Sequence, residues 1–148
     1  MYKRILVAID SSDTARKALD EALQLARLTG ATLCVAHALD EAPLVQHAMG
    51  IGTFIDADKV KDEMRQVALP VLDEAVARAS AGGVTAERLL IESDNKRTAE
   101  QIVDAARDWN ADLIVAGTHG RHGMDRLLVG SVAENLTRLA KTSLLLVR

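Results

Sequence analysis

Aromatic side chains are scarce in this chain, which has only Tyr2, Phe54 and Trp109 among its 148 residues. So few rings argue against an RNA-binding module that stacks bases on aromatic side chains, and weakly against a flavin site. The single cysteine, Cys34, cannot form an internal disulfide. Because it lies in an apolar, strand-like segment, we expect a buried and unreactive thiol.

An excess of basic residues is also missing, since 18 Lys and Arg stand against 21 Asp and Glu, for a net charge of −3. This balance gives no support for a nucleic-acid-binding surface. No apolar run is long enough to span a bilayer, and no secretory signal precedes the first apolar segment. We therefore expect a cytoplasmic protein that does not insert into membranes.

What the chain does have is the composition of a folded domain, with 49% hydrophobic and 26% charged residues. A length of 148 residues fits one domain, 1–148, with a sizeable core. Five short apolar segments alternate with segments of helical periodicity. The predicted strands are Arg4–Ile9, Thr32–Leu39, Glu87–Glu92, Asp112–Ala116 and Leu144–Val147. The predicted helices run from the cap residues 10–13 to about Leu28, over Asp56–Ala81, from Thr98 to about Trp109, and over Ser131–Ala140.

This alternation predicts an α/β fold: a single-domain, open, parallel five-stranded sheet with helices on both faces, similar to a Rossmann fold. Asp40–Ile55 is the least regular region and is predicted to be a long loop. Pro70 is expected to bend the second helix or divide it into two. Gly30 and Gly82-Gly83 occupy the positions where helices end.

The stretch Val115–Glu134 carries the strongest functional signal, because an apolar strand is followed by Gly117, Gly120, Gly123 and Gly130, and then by a helix. A helix N-terminus has unpaired N–H groups and a partial positive charge, which suit a phosphate group. The alternative is a plain structural turn, in which Ser131 caps the helix and Glu134 completes a capping box. The phosphate motifs GxxxxGK[ST] and GxGxxG are both absent, so the stretch alone leaves these alternatives open.

Asp10 follows the first strand and Gly117 the fourth. If these strands are neighbours at the point where the strand order reverses, both residues face one ligand crevice. There we expect Asp10 to bond a ribose or a base, whereas Asp13 is expected to cap a helix. His37 fits a packed core position, and His119 and His122 lack the spacing of a metal site. We predict no catalytic residues and no metal ligands.

A receiver-type signalling domain would have a similar number of elements. It would need a phosphate-accepting aspartate after the third strand, where Asp94 is only loosely placed, and a lysine after the fifth. The chain ends at Arg148 without that lysine, so this alternative is set aside.

Three segments of the chain and one glycine spacing together match a known family. The segments are KRILVAID, AHALDE and ADLIVAGTHGRHGMDRLLVGSVAENL, and residues 117, 120, 130 and 131 have the spacing G-x2-G-x9-G-[ST]. With these features nearly the whole chain resembles the universal stress protein family in its nucleotide-binding branch, whose ATP signature is that spacing. The resemblance implies the strand order 3-2-1-4-5 and a homodimer formed through Leu144–Val147. Thr142-Ser143 replaces the proline that often precedes the last strand in the family. The implied adenine-nucleotide site consists of Asp10, the backbone of Ala38, Gly117, Gly120, Arg121, Gly130, Ser131, Val132 and Ala133.

The resemblance implies a stress-response or regulatory protein that binds ATP, or ADP or AMP, with a client protein of unknown identity. Whether Mg²⁺ accompanies the nucleotide stays open, as does a contact of Lys96 or Arg97 with phosphate. A slow ATPase or an autophosphorylating phosphotransferase is the alternative function, but no convincing catalytic base is evident. A structural dimer with an empty site is the third hypothesis.

Overall fold

The computed structural model describes residues 1–10, 12–39, 56–93, 95–119 and 129–148. Within these residues, strands and helices follow the alternation expected from the sequence. The strands are β1 Arg4–Ala8, β2 Thr32–Ala38, β3 Ala86–Ile91, β4 Leu113–Gly117 and β5 Ser143–Val147. The helices are α1 Asp13–Thr29, α2 Ala57–Ala81, α3 Thr98–Asp108 and α4 Ser131–Leu139. The predicted loop Asp40–Ile55 lies outside the described residues.

The five strands form one parallel sheet in the order β3-β2-β1-β4-β5, which confirms the predicted fold class and strand order. The inner strands β1, β2 and β4 are almost wholly buried, because helices cover both faces of the sheet. The strand order reverses between β1 and β4, which pair directly. The crevice at that reversal is therefore a feature of this fold.

The core has two layers, because successive side chains of a strand point to opposite faces of the sheet. Ile5 and Val7 pack with α1 and α2 on one face. Leu6 and Cys34 pack with α3 and α4 on the other. Cys34 is completely buried, and this burial, with a smaller contribution from the negative charge of Glu87, raises its pKa to about 12. A thiol with that pKa is protonated at neutral pH, so the expectation of an unreactive cysteine agrees with the structure.

Helix α1 has local signals at both ends. The N-cap is Ser12, whose hydroxyl accepts a hydrogen bond from Ala15 N–H at 3.2 Å. Asp13, which was expected to cap, is instead the first helical residue and an exposed partner of Arg16. At the other end Gly30 has φ 71°, the left-handed conformation of a glycine C-cap, as predicted.

One other expectation about a helix start is wrong, and one of the two alternatives for Pro70 is excluded. The spacing of Thr98 and Gln101 predicts a capping box at the start of α3, but the N-cap is Arg97, and Glu100 Oε2 accepts from the Arg97 N–H at 3.2 Å. Pro70 does not divide α2, which is one continuous helix. The carbonyl that Pro70 leaves without an intrahelical donor belongs to Gln66, an exposed residue whose backbone water can reach. No helix formed by the described residues is long and apolar enough to cross a membrane.

Candidate functional site

The crevice lies beyond the carboxyl ends of β1 and β4. Ala8 pairs with Ala116 near these ends, so Asp10 lies just beyond β1 and Gly117 is the last residue of the neighbouring strand β4. The start of α4 is held close to the end of β4, because the Gly130 N–H donates to the Thr118 carbonyl at 2.7 Å. Three structural features therefore meet at one edge of the sheet: the end of β1, the end of β4 and the N-terminus of α4.

The N-terminus of α4 lacks a side-chain cap. Its N-cap residue is Gly130, and Ser131 is the first helical residue, so the capping box of Ser131 and Glu134, which was the alternative to phosphate binding, is not formed. A helix cannot pair the N–H groups of its own first turn, here those of Ser131, Val132 and Ala133. The Ser131 hydroxyl is exposed and bonds to none of the described residues. This helix end thus offers amide donors, a hydroxyl and a partial positive charge to an anion.

Glycine at position 130 is not required by the backbone. Gly130 has φ −63° and ψ 158°, an extended conformation that any residue adopts. Serine, aspartate or asparagine would cap α4 better than glycine does. A glycine at this N-cap therefore sacrifices some helix stability and leaves the approach to the first turn without a side chain.

Asp10 has one carboxylate oxygen engaged and one available. Oδ1 accepts the backbone N–H of Ser12 at 2.7 Å, which fixes the carboxylate beside the N-terminus of α1. No described residue bonds to Oδ2. The hydrogen bond at Oδ1 therefore fixes the side chain and leaves Oδ2 available to accept a hydrogen bond from a ribose hydroxyl.

Ala38 ends β2 with its backbone facing the crevice. In a parallel sheet, alternate residues direct their N–H and C=O groups to opposite neighbours. Leu39 N–H donates to Ile91 on the β3 side at 3.0 Å, and the Ala36 carbonyl accepts from Ile9 on the β1 side at 2.8 Å. The Ala38 N–H and C=O thus face the β1 side beyond the end of that strand. The Ile9 carbonyl, on the chain that follows β1, accepts a hydrogen bond from the side chain of His37, at 2.7 Å from Nδ1.

Gly117 has a role that sequence reasoning missed. A Cβ atom placed on it would lie 2.5 Å from Thr14 Oγ1 and 2.9 Å from both the Cβ and the carbonyl carbon of Thr14. The first turn of α1 therefore occupies the space beside Gly117. This glycine permits the close packing of α1 on β4, and its contact with phosphate stays a prediction.

Thr14, Thr118 and His119 join the same edge and were not predicted as site residues. Thr14 Oγ1 donates to the His119 carbonyl, and Thr118 Oγ1 lies 2.8 Å from His119 Nδ1. His119 Nε2 is buried and has no hydrogen-bond partner within the described part of the chain. The only sequence signal for these contacts was the position of the residues beside Gly117 and the α1 cap.

Some predicted residues cannot be placed in this site. Gly120 and Arg121 lie outside the described residues, as do Asp94, His122, Gly123 and Arg126. Lys96, considered for phosphate, pairs instead with Asp104. Among the described residues, no group of three or more His, Cys, Asp or Glu side chains could hold a metal ion.

Comparison with known proteins identifies the family. The family model described as "Universal stress protein family" matches residues 1–148. This chain belongs to the universal stress protein family. It is 31% identical to universal stress protein YxiE of Bacillus subtilis, with all of both chains covered. It is also similar to the crystal structure of a universal stress protein family member from Burkholderia pseudomallei, at 36% identity and TM-score 0.79, over 99% of this chain and 96% of the other.

Two further universal stress protein structures contain nucleotides. One, solved in complex with cAMP, is 30% identical with a TM-score of 0.71, over 99% of this chain and 97% of the other. The second, from Archaeoglobus fulgidus in complex with dAMP, is 29% identical with a TM-score of 0.67, over 99% of this chain and 98% of the other.

Proposed function

We propose that this universal stress protein binds an adenine nucleotide, with ATP as the first candidate, in the crevice beyond β1 and β4. The observation that carries the proposal is the N-terminus of α4, where Gly130 leaves the first-turn amides uncapped beside the end of β4. An uncapped helix N-terminus favours a phosphate group through its amide donors and its dipole.

The adenosine end of the ligand has a separate basis. Asp10 Oδ2 is an available acceptor for a ribose hydroxyl. The Ala38 N–H and C=O form an adjacent donor and acceptor, a pair that matches the ring nitrogen and amino group of adenine. Ala38 is the last residue of β2 and Asp10 lies two residues beyond β1, and strands are rigid supports for a binding site.

The related structures support this class of ligand, because cAMP and dAMP both consist of adenine, a pentose and a phosphate. The choice of ATP, ahead of ADP or AMP, rests on the glycine and serine spacing of residues 117, 120, 130 and 131. We propose a regulatory binding module in the cytoplasm rather than an enzyme. Mg²⁺ would accompany ATP through its phosphates.

We further propose a homodimer formed by pairing of β5 with its copy. Leu144, Leu145, Leu146 and Val147 are only half-buried in the single chain. Because Thr118 N–H bonds to the Val147 carbonyl, residue 147 faces β4 and residues 144 and 146 direct their backbone groups outward. Antiparallel pairing about a two-fold axis would satisfy these groups and cover the apolar edge.

The nucleotide site is tested by replacing Gly130 with Asp or with Asn. Both residues suit the φ and ψ of this N-cap, so each variant should be at least as stable as the original protein. Asp adds a negative charge where the phosphates should lie, whereas Asn has nearly the same shape without that charge. We expect Gly130→Asp to weaken ATP binding about 100-fold in calorimetric titration with Mg²⁺, and Gly130→Asn to weaken it much less.

Adenosine is the internal control, because it lacks phosphate. Its affinity should be nearly the same for both Gly130 variants and should fall in Asp10→Asn, which removes the carboxylate charge but keeps the bond to Ser12 N–H. Undiminished ATP binding by folded Gly130→Asp would refute the proposed phosphate position. Absence of binding by the original protein at millimolar ATP would refute the function.

The dimer is tested with Leu146→Pro and Leu146→Ala. Both variants lose the leucine side chain, but only proline also removes the outward N–H. We expect Leu146→Ala to remain dimeric in sedimentation analysis and Leu146→Pro to become monomeric. A dimeric Leu146→Pro protein would refute the pairing of β5.

A further inference from the structure

A second concave surface lies at the opposite edge of the sheet from β5. It is a groove of about 440 Å³ between β3 and α3. Most of its apolar lining residues are half-buried and pack on the core beneath α3, whereas Leu90 packs with the core on the other face of the sheet. The lining residues are Leu89, Leu90, Ile91, Glu92, Gln101, Ala105, Asp108 and Trp109. The groove runs between β3 and α3, whereas the nucleotide crevice lies beyond the carboxyl ends of β1 and β4; the two adjoin where Ala38 pairs with Ile91.

Gln101 lines the groove and carries a buried acceptor that bonds to none of the described residues. Its side chain is 4% exposed, and Nε2 donates to the Lys96 carbonyl at 2.7 Å. Oε1 is buried, and none of the residues that the structure describes donates a hydrogen bond to it. Exchanging the amide oxygen and nitrogen would not help, because two oxygens would then face each other at the Lys96 carbonyl. A buried amide oxygen without a donor is costly, so it marks a position for a donor from outside the chain.

The other polar side chains of the groove are also unable to donate. Glu92 and Asp108 are carboxylates, and each already has an arginine partner, Arg65 and Arg107. The Trp109 N–H is used by Glu87. The groove therefore suits a ligand that brings its own N–H donors on an apolar stem.

The backbone beside the groove is an open strand edge. On the β2 side, Leu33 N–H donates to the Thr85 carbonyl at 2.9 Å, and Leu39 N–H donates to the Ile91 carbonyl. By alternation, the backbone groups of Arg88 and Leu90 face away from β2, and no described strand pairs with them. An added strand at this edge would direct alternate side chains into the groove.

We propose that the groove and the edge of β3 together bind an extended segment of a partner protein that carries a lysine or arginine. The segment adds a strand along Arg88 and Leu90. The aliphatic stem of its basic residue lies on Leu89 and Trp109, and its charged tip donates to Gln101 Oε1, with the two rim carboxylates nearby.

The test uses Trp109 as the reporter, because it is the only tryptophan in the chain. The probes are blocked peptides of alternating valine and threonine whose central residue is lysine, arginine or norleucine; norleucine has an aliphatic chain without the charge. We expect the basic peptides to shift Trp109 emission and to bind about tenfold more tightly than the norleucine peptide.

Two comparisons separate the parts of the site. Gln101→Met removes the acceptor at similar size and should abolish the preference for the basic peptides. Arg88→Pro removes an outward N–H, whereas Arg88→Ala keeps it, and both lose the same exposed pair with Asp73. Only the proline variant should lose peptide binding.

Three results would overturn the proposal. The first is the absence of any Trp109 response at millimolar peptide. The second is equal affinity for the lysine and norleucine peptides in the original protein. The third is binding of blocked single lysine as tight as that of the peptide, which would exclude strand addition.

Discussion

Replacing Gly117 with alanine is the sharpest test of how the sheet and α1 fit together. The added Cβ would lie 2.9 Å from the carbonyl carbon and the Cβ of Thr14, and 2.5 Å from its Oγ1. Real Cβ contacts are essentially never under 3.0 Å. The neighbour cannot rotate away, because two of these three atoms are Cα substituents of Thr14.

The cost follows from what would have to move. Relief requires a shift of the first turn of α1, which is anchored by Ala15 and Ala18, both almost completely buried. Overpacking of this kind costs about 1–3 kcal/mol, and a backbone contact favours the upper part of that range. We therefore expect Gly117→Ala to lower the unfolding free energy by about 2 kcal/mol, or the melting temperature by about 6 °C.

The assay is urea unfolding at one fixed protein concentration. Thr14→Ala alone should cost about 1 kcal/mol, because it loses the hydrogen bond from Oγ1 to the His119 carbonyl. In the double variant the Oγ1 contact is gone but the two at 2.9 Å remain, so only part of the strain should be relieved. Gly130→Ala is the matched control, since its backbone accepts any residue, and its cost should stay under about 1 kcal/mol.

A Gly117→Ala protein as stable as the original would refute this packing argument. If that stable variant also lost ATP binding, the glycine would serve the ligand rather than α1. A destabilised variant that still binds ATP when folded would place the whole effect in the packing.

Three other predictions concern single residues. Cys34 should not react with a disulfide reagent at pH 8 in the native protein, because a pKa of about 12 leaves almost no thiolate. Its labelling rate should equal the rate of global unfolding, and rapid labelling of the native protein would contradict its burial. Asp112→Ala should lower the unfolding free energy by about 1–2 kcal/mol, since Oδ2 accepts Lys3 N–H at 2.8 Å and Oδ1 accepts Arg4 N–H at 3.1 Å. Asp112→Asn keeps one acceptor and should lower the unfolding free energy less. Equal stability of the original protein and both variants would show that these two hydrogen bonds contribute nothing to stability. The Lys96 ammonium hydrogen-bonded to Asp104 holds the pKa of that carboxyl below its usual range, so the stabilisation is present above the unfolded-state pKa and is lost as the pH falls through the folded-state value. The stability advantage of the original protein over Asp104→Asn, measured by urea unfolding, should therefore shrink as the pH falls below about 4; an advantage unchanged at pH 2 would exclude this ion pair.

Much of the fold could be predicted from local patterns. Continuous apolar strands such as residues 4–9 and 112–116, alternating with amphipathic helices, indicated a doubly covered parallel sheet. Gly30 marked the end of α1 because a left-handed C-cap is a local property of the chain. The spacing of Gly117, Gly130 and Ser131 indicated the family, and thereby the strand order and the class of ligand.

Helix starts were less predictable, and the N-caps of α3 and α4 each lie one residue before the position that the sequence suggested. Ser131 and Thr98 had the right chemistry for N-caps, yet the caps are Gly130 and Arg97. The N-cap is the last residue before the helical dihedral angles begin, and the packing of the helix on the sheet determines where that change occurs. A sequence motif identifies suitable residues but not this boundary.

The sequence by itself determined the order of elements, the buried faces and the motif that identifies the family, because these depend on residues close together in the chain. Only the tertiary structure decided what occupies the space around particular side chains. Thr14 fills the space beside Gly117 and bonds to His119, a residue 105 positions away. Gln101, beside the groove between β3 and α3, has a buried oxygen to which no described residue donates. The close approach of two side chains and the burial of a polar atom without a hydrogen-bond partner both depend on residues that are distant in sequence. They arise only when the sheet brings those residues together.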